Sequence, residues 1–174
     1  MTPVDRHNER VILFVTVGTR PRVSAFTNEA FAEAFVLACG DADAWSVGKY
    51  MIMPDHVHLF CSPAIVPRVG IKQWSGYLKR RTSIRLMNAV EDGPGNGSRG
   101  RSPSNGQDLS PGGRASPRAV MSWKWQADCW DTQIRSPEHY HEKWEYVRQN
   151  PVRKELVEEA DDWPWQGELN VLLW

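Results

Sequence analysis

The sequence has few cysteines, no long apolar run and no excess of either charge, and each absence argues against a class of protein. Three cysteines occur among 174 residues, none of them in a C-x-x-C pair. A disulfide framework and a cysteine-type zinc site are therefore unexpected, and a reducing, cytoplasmic environment is expected. No run is apolar or long enough for a membrane span or a secretory signal. Acidic and basic residues number 21 each, so net charge indicates no general attraction to nucleic acid.

The charges are nevertheless unevenly placed. Six basic residues and no acidic one lie between Arg68 and Arg85. A local basic surface matters more to a polyanion than the net charge does. The length predicts a single domain over residues 1–174.

Strand and helix patterns alternate along most of the chain. The β-branched, apolar run at 10–17 predicts a central strand covered on both faces. A hairpin is predicted from strands at 45–53 and 56–61, with Val47, Met51 and Met53 on one face of its first strand. Helices are predicted at 30–39, 66–88, 137–150 and 152–160, and one or two short strands within 123–134. This order predicts an α+β, ferredoxin-like sandwich, a largely antiparallel sheet with helices packed on it.

One segment, 91–118, differs from the rest in composition. It consists almost wholly of Gly, Pro, Ser, Arg and Asn. Such a segment cannot bury enough apolar surface to offset the entropy lost on ordering, so a disordered insert is predicted. Its four arginines could contact a phosphate backbone, or the insert could be a solvated loop without function.

Two histidines separated by one residue lie inside an apolar strand pattern. Residues i and i+2 of a strand point to the same face, so His56 and His58 should project side by side while Val57 faces the core. Such a pair can supply two ligands to one metal ion, and Asp55 could fix one imidazole tautomer. The structural alternative is a strand that carries two half-buried histidines.

A second candidate segment is the predicted helix around Tyr146 and Asn150. The two residues are four apart, so they share one helix face. An amide oxygen can complete a ligand set begun by two imidazoles, and a tyrosine one turn away could attack a phosphate held there. Alternatively, Tyr146 is a core residue and Asn150 a helix C-cap. Tyr140, which lies between two histidines, is a rival nucleophile on a different face of the helix.

Taken together, these segments resemble a known family. The sequences MPDHVHLF at 53–60 and YVRQNPVR at 146–153 resemble the single-tyrosine HUH transposases, notably the REP-associated tyrosine transposases. HUH denotes His, hydrophobe, His. The resemblance extends to Trp125-Gln126, Trp130-Asp131, Arg135 and Trp163-Pro164-Trp165 in order and rough spacing.

The resemblance implies a ferredoxin-like endonuclease and strand transferase that acts on single-stranded DNA, often at hairpins. It implies that Tyr146 is the nucleophile, which leaves a 5′-phosphotyrosine and a free 3′-hydroxyl. His56 and His58 would be ligands of Mg²⁺ or Mn²⁺, and Asn150 would take the place of the third ligand. Because imidazole ligates only when neutral, activity is expected to fall below about pH 6.5.

The basic helix predicted at 66–88 is a candidate DNA groove beside this site, with aromatic residues available for stacking on bases. Its alternative is an ordinary solvated helix face. The candidate DNA-binding residues are Lys72, Trp74, Lys79, Arg80, Arg81 and Arg85.

Two other functions remain open at this point. One is a catalytically silent nucleic-acid-binding regulator on the same fold, and the other is a metal-dependent hydrolase that uses water instead of tyrosine. The expected partner is single-stranded DNA that contains a hairpin. No association with a membrane is expected, and the protein would be a monomer or a homodimer.

Overall fold

The computed structural model describes residues 11–64, 69–91 and 122–174. The strands are β1 (Ile12–Arg20), β2 (Trp45–Ile52), β3 (His56–Pro63), β4 (Lys124–Trp125), β5 (Trp130–Ile134) and β6 (Gln166–Glu168). The helices are α1 (Glu29–Asp41), α2 (Ile71–Glu91), α3 (Pro137–Arg148) and α4 (Asn150–Arg153), with a 3₁₀ turn at Ala160–Asp162. None of the helices in the described ranges could cross a membrane. The predicted disordered insert, 91–118, lies outside the described residues apart from Glu91 at the end of α2.

The sheet has the strand order β4-β1-β3-β2-β6, and β5 pairs with β1 on the same side as β4. Every pairing is antiparallel. Strand β1 thus lies beside the hairpin β2–β3, with β3 between β1 and β2. The predicted ferredoxin-like α+β plan is confirmed.

One face of the sheet carries α1 and α2. Alternate residues of the central strands, including Val15 and Leu59, enter a core cluster with Phe35 of α1 and Trp74 and Leu78 of α2. Helix α1 begins where the side chain of Asn28 accepts a hydrogen bond from the backbone N–H of Phe31 at 2.9 Å, which satisfies one of the free donors of a helix start.

The opposite face carries α3. Phe14 and Phe60, which alternate with the residues of the first cluster, pack with Trp144 and Val147 of α3 in a second cluster. Trp163 closes that cluster, and its indole N–H donates to the carbonyl of Ile52 at 3.0 Å. His56 and His58 share the parity of Phe60 on β3 and therefore lie on the α3 face.

Two details of the predicted elements are wrong. Val47 joins the first cluster while Met51 and Met53 join the second, because the register shifts between Val47 and Tyr50 and such a bulge exchanges the faces. A Cβ on Gly48, at this bulge, would lie 2.6 Å from Cγ of Leu172, so the C-terminal segment crosses there closely.

The second wrong detail is the helix predicted at 152–160. Helix α4 ends at Arg153, and Glu155 takes a left-handed φ of 56°. Because that conformation cannot continue a right-handed helix, the acidic segment that follows is irregular up to the 3₁₀ turn. Helix α2 begins at Ile71 rather than 66, and residues 65–68 lie outside the described ranges.

Candidate active site

The two strand histidines point their outer nitrogens at each other. The Nε2 atoms of His56 and His58 are 3.1 Å apart, and the rings meet edge to face with centroids 4.6 Å apart. Both rings are largely buried. A strand with a two-residue period brings them together, as expected for neighbours on one face.

Each inner nitrogen has its own partner. Nδ1 of His56 lies 2.6 Å from a carboxylate oxygen of Asp55, whose other oxygen accepts from Arg22 at 3.1 Å. Since the carboxylate can only accept, His56 carries its proton on Nδ1 and leaves a lone pair on Nε2. Nδ1 of His58 lies 2.8 Å from the hydroxyl of Thr16. A hydroxyl can donate or accept, so His58 can present either a lone pair or an N–H at Nε2.

The surroundings favour neutral imidazoles. Burial lowers the pKa of His58 to about 3, and the nearby charges of His56 and Lys143 act in the same direction. Burial also lowers the pKa of His56, although the hydrogen bond to Asp55 opposes the shift. Burial raises the pKa of Asp55, but His56 and Arg22 outweigh it and leave that pKa below its ordinary value. These shifts favour the neutral state of both rings, which metal binding requires.

The pair fits part of a metal site. Nitrogens 3.1 Å apart match neighbouring ligands of an octahedral ion, which lie about 3.0 Å apart for bonds of roughly 2.1 Å. The carboxylate and hydroxyl behind the rings are the supports that metal-bound imidazoles usually have. Within the described residues, no group of three His, Cys, Asp or Glu side chains could hold a metal ion. Among the described residues, an amide oxygen could add a ligand to the pair, and water or a phosphate oxygen could fill other positions.

Helix α3 brings Tyr146 to the same sheet face. Trp144 and Val147 are buried against the sheet, and Tyr146, next to Val147, stands at the margin of the contact with 60% of its surface exposed. Its phenol is therefore accessible to a polymer in solution. The tyrosine and histidine segments, 86 residues apart or more in sequence, lie on one face of one chain.

Lys143 lies between the two segments. Its Nζ is 5.8 Å from the ring centroid of Tyr146 and 4.9 Å from that of Phe14, and Phe14 stacks on the His58 ring with centroids 5.3 Å apart. Lys143 and Tyr146 are three apart on α3, which puts them on neighbouring positions of one helix face. The sequence pattern alone did not indicate Lys143, although its three-residue spacing from Tyr146 is a signal for it.

Asn150 lies at the start of α4, and its side-chain oxygen accepts a hydrogen bond from Arg153. The same guanidinium donates to the backbone carbonyl of Tyr146 at 2.7 Å and lies 4.2 Å from the centroid of its ring. Arg153 thus holds the tyrosine ring and the end of α3 together. An amide oxygen has two lone pairs, so this bond leaves one of them free, and a ligand role for Asn150 stays a prediction.

The rival nucleophile Tyr140 has a different environment. Its ring packs 4.4 Å from that of Phe60 and 6.0 Å from that of Trp174. Burial, together with the charge of Glu168, raises its pKa to about 12. A half-buried phenol that ionises less readily than a free one is the weaker candidate.

The basic helix α2 lies on the sheet face opposite the histidines and α3, so it does not border the candidate site. Trp74 is 2% exposed, and its indole N–H donates to the carbonyl of Ala42 at 2.7 Å. Lys79 is 5% exposed, and its ammonium donates to the carbonyls of Gln126, Ala127 and Asp128 at 2.8, 3.2 and 3.4 Å. Neither can contact DNA as placed, and the interpretation of both as DNA-binding residues is wrong.

The remaining basic residues of α2 are nearer the surface. Arg85 and Arg81 both bind the carboxylate of Asp41 on α1, and their hydrogen bonds, that of Arg85 foremost, lower the pKa of Asp41. Lys72 pairs with Asp128 at 2.7 Å, and Arg80 is exposed. DNA contacts by Arg80 and these paired residues stay predictions, at a surface remote from the histidines.

Replacing Lys79 by methionine should destabilise the protein. Three carbonyls of the 126–128 loop would lose their donor, and a buried polar group without a partner costs roughly 1–3 kcal/mol. Urea unfolding should show this loss for Lys79→Met and almost none for Arg80→Met, which removes an exposed charge from the same helix. Equal stability of the two variants would contradict the role of Lys79 as a buried anchor of the loop.

The fold is similar to that of a solved transposase structure. No protein-family profile and no curated protein matches the sequence. Among solved structures, a REP-associated tyrosine transposase bound to a REP hairpin is similar with a TM-score of 0.58 and 18% identity, over 95% of this chain and 82% of that one. A candidate transposase from Deinococcus radiodurans R1 aligns with a TM-score of 0.49 and 13% identity, over 86% of this chain and 97% of that one. At 18% identity the first match establishes the fold, as the sequence resemblance implied.

Proposed function

We propose that this protein is a transposase-type endonuclease that cleaves and rejoins single-stranded DNA at hairpin-flanked sites through a covalent bond to Tyr146. The observation that carries the proposal is the placement of an exposed tyrosine and a paired, neutral histidine couple on one sheet face, with Lys143 between them. The fold shared with a hairpin-bound REP-associated transposase supports the choice of substrate.

In the proposed reaction, the phenolic oxygen of Tyr146 attacks a backbone phosphorus. A bond forms between this oxygen and phosphorus, and the bond from phosphorus to the 3′-oxygen breaks. The phenol proton passes to water, and the departing 3′-oxygen takes up a proton to become a hydroxyl. The 5′-phosphotyrosine keeps the energy of the phosphodiester, so a 3′-hydroxyl can reverse the step and rejoin DNA without ATP.

Several charged groups suit this step. A phenol has a pKa near 10 and is a weak nucleophile at neutral pH unless positive charge lies close by. Lys143 and Arg153 both supply such charge near the Tyr146 ring, and we propose that Lys143 also contacts a phosphate oxygen. His56 and His58, with Asn150 as the proposed third ligand, would hold Mg²⁺ or Mn²⁺. When bound, such an ion would polarise the phosphate and stabilise the charge that develops on its oxygens.

Labelled hairpin DNA with single-stranded flanks, incubated with the protein and Mn²⁺, tests the proposal. The expected result is a protein–DNA band that survives denaturation. Cleavage without such a band would indicate the water-using hydrolase. Hairpin binding with neither a band nor cleavage, across a panel of flanking sequences, would indicate the catalytically silent regulator.

Metal binding should persist into acid. Protons compete with a metal for imidazole nitrogen, and burial lowers the pKa of both His56 and His58, that of His58 to about 3. The neutral form of each ring therefore persists to lower pH than that of a free imidazole. The sequence alone predicted that activity falls below about pH 6.5, and the structure moves this expected fall to lower pH. Mn²⁺ titrations followed by electron paramagnetic resonance should show similar affinity at pH 7.5 and 6.5. A loss of affinity centred at or above pH 6.5 would contradict the buried pair as the binding site.

A further inference from the structure

Trp130 lies in the same cross-strand row as His58. In the antiparallel sheet Trp130 of β5 is paired with Thr16 of β1, and Thr16 is paired with His58 of β3. Directly opposite residues on antiparallel strands point to the same face. Trp130 therefore projects from the face of the histidines, two strands or about 10 Å from His58.

A second observation on β5 confirms its orientation. Ile134 has the parity of Trp130, is paired with Ile12, and both are buried in the cluster under α3. On this face of β5, Ile134 is therefore covered by the core, whereas Trp130 at the other end of the strand is exposed to solvent. The row that contains His58 lies at the open end of the α3 face.

The exposure of Trp130 is unusual for its residue type. Its side chain is 79% exposed, whereas Trp74, Trp123 and Trp144 are buried. An indole this exposed contributes little to the core, so packing does not explain a tryptophan there. Large aromatic faces beside a nucleic-acid groove bind unpaired bases by stacking, which tolerates any base.

We propose that Trp130 is a stacking platform for one unpaired base of the DNA strand that enters the site, within a few nucleotides of the phosphate attacked by Tyr146. The inference rests on the proposed function for the identity of its ligand. The occupant is a base of single-stranded DNA because the platform shares its face with Lys143 and the histidine pair. A duplex would keep its base faces covered, so the platform favours the unpaired flank of a hairpin.

Binding measurements in the Tyr146→Phe background isolate this contact, because the DNA is not consumed. The probe is a fluorescent hairpin with single-stranded flanks, followed by anisotropy. Trp130→Ala should weaken binding roughly 10- to 100-fold, and Trp130→Phe should retain most of the affinity. The control is Leu37→Ala, which removes a 46% exposed apolar side chain from α1 on the opposite face and should leave affinity unchanged.

A scan of abasic sites along the flanks identifies the stacked base. At one position, removal of the base should weaken binding to the Tyr146→Phe protein but not to the same protein with Trp130→Ala. The inference would be overturned if Trp130→Ala bound DNA with unchanged affinity. It would also be overturned if, at every flank position, the affinity loss from the abasic site simply added to the loss from Trp130→Ala. A change in oligomeric state on sedimentation of Trp130→Ala would also overturn it, by assigning the indole to a contact between copies.

The two proposals can fail separately. If the otherwise unsubstituted protein forms the covalent adduct and Trp130→Ala binds DNA normally, only the stacking inference fails. If no adduct forms but one abasic position weakens binding only when Trp130 is present, the stacking of a base on Trp130 is supported and the nuclease proposal fails.

Discussion

Replacing Tyr146 by phenylalanine is expected to abolish the covalent protein–DNA adduct, with a loss of at least roughly a thousandfold in strand cleavage. The variant lacks the only atom that can form the proposed bond to phosphorus. The ring itself stays, and with it the stacked Arg153 guanidinium. Because the side chain is mostly exposed, stability and hairpin affinity should be almost unchanged. Denaturing gels and anisotropy on the same preparation measure both properties.

The matched control is Tyr140→Phe on the same helix. This ring packs on Phe60, and its pKa is raised to about 12 by burial and by Glu168. Loss of its hydroxyl should cost some stability and leave the adduct intact. An adduct that survives Tyr146→Phe and disappears with Tyr140→Phe would reverse the assignment of the nucleophile.

Replacing His58 by glutamine is expected to lower metal-dependent cleavage by about 100-fold or more. Loss of a residue that hydrogen-bonds to a metal ligand typically costs about 10- to 100-fold in activity, and loss of the ligand itself should cost at least as much. The change removes one of two nitrogens that face each other across 3.1 Å. Higher Mn²⁺ concentrations should restore part of the rate, because the phenol of Tyr146 is intact. Cleavage measured against Mn²⁺ concentration distinguishes this loss of affinity from a loss of the nucleophile.

His141→Gln provides the comparison for His58→Gln, because His141 is exposed on α3 and its loss should not alter the metal dependence. Circular dichroism and urea unfolding would verify that His58→Gln is folded, since this ring also stacks on Phe14 and contacts Thr16. A folded His58→Gln protein with the rate and Mn²⁺ dependence of the unsubstituted protein would count against a histidine-bound metal.

Much of the architecture follows from local patterns. The two-residue period of a strand places both histidines on one face without any tertiary information. The β-branched run of β1 and the order of elements predict the antiparallel α+β sandwich. The bulge near Gly48 was not evident from the local pattern, and Gly48 lies against Leu172 of the C-terminal segment, more than a hundred residues away in sequence.

The side of the sheet on which each helix packs needed topology as well as pattern. Strands β1 and β2 are parallel with β3 between them, and β3 and β5 are parallel with β1 between them. Right-handed crossovers then place α1 and α2 on one face. This rule separates the basic helix from the histidines, and sequence spacing alone did not reveal the separation.

The errors among the proposed DNA contacts have a physical explanation. Trp74 and Leu78 are four apart on the apolar stripe of α2, so the pattern that predicted the helix also favoured burial of Trp74. The anchoring of Lys79 depends on three carbonyls nearly fifty residues away, which no local pattern encodes. Lys143 is a single lysine among the mixed charges of α3, so charge clustering, which favours α2, does not indicate it.

Peptide mapping of the covalent adduct by mass spectrometry tests the central claim most directly. After reaction with hairpin DNA and Mn²⁺, nuclease digestion of the DNA and proteolysis, a peptide that contains Tyr146 should carry a nucleotide through its 5′-phosphate. Attachment to Tyr140 or to any other residue, or the absence of a modified peptide beside fully cleaved DNA, would contradict the proposed role of Tyr146.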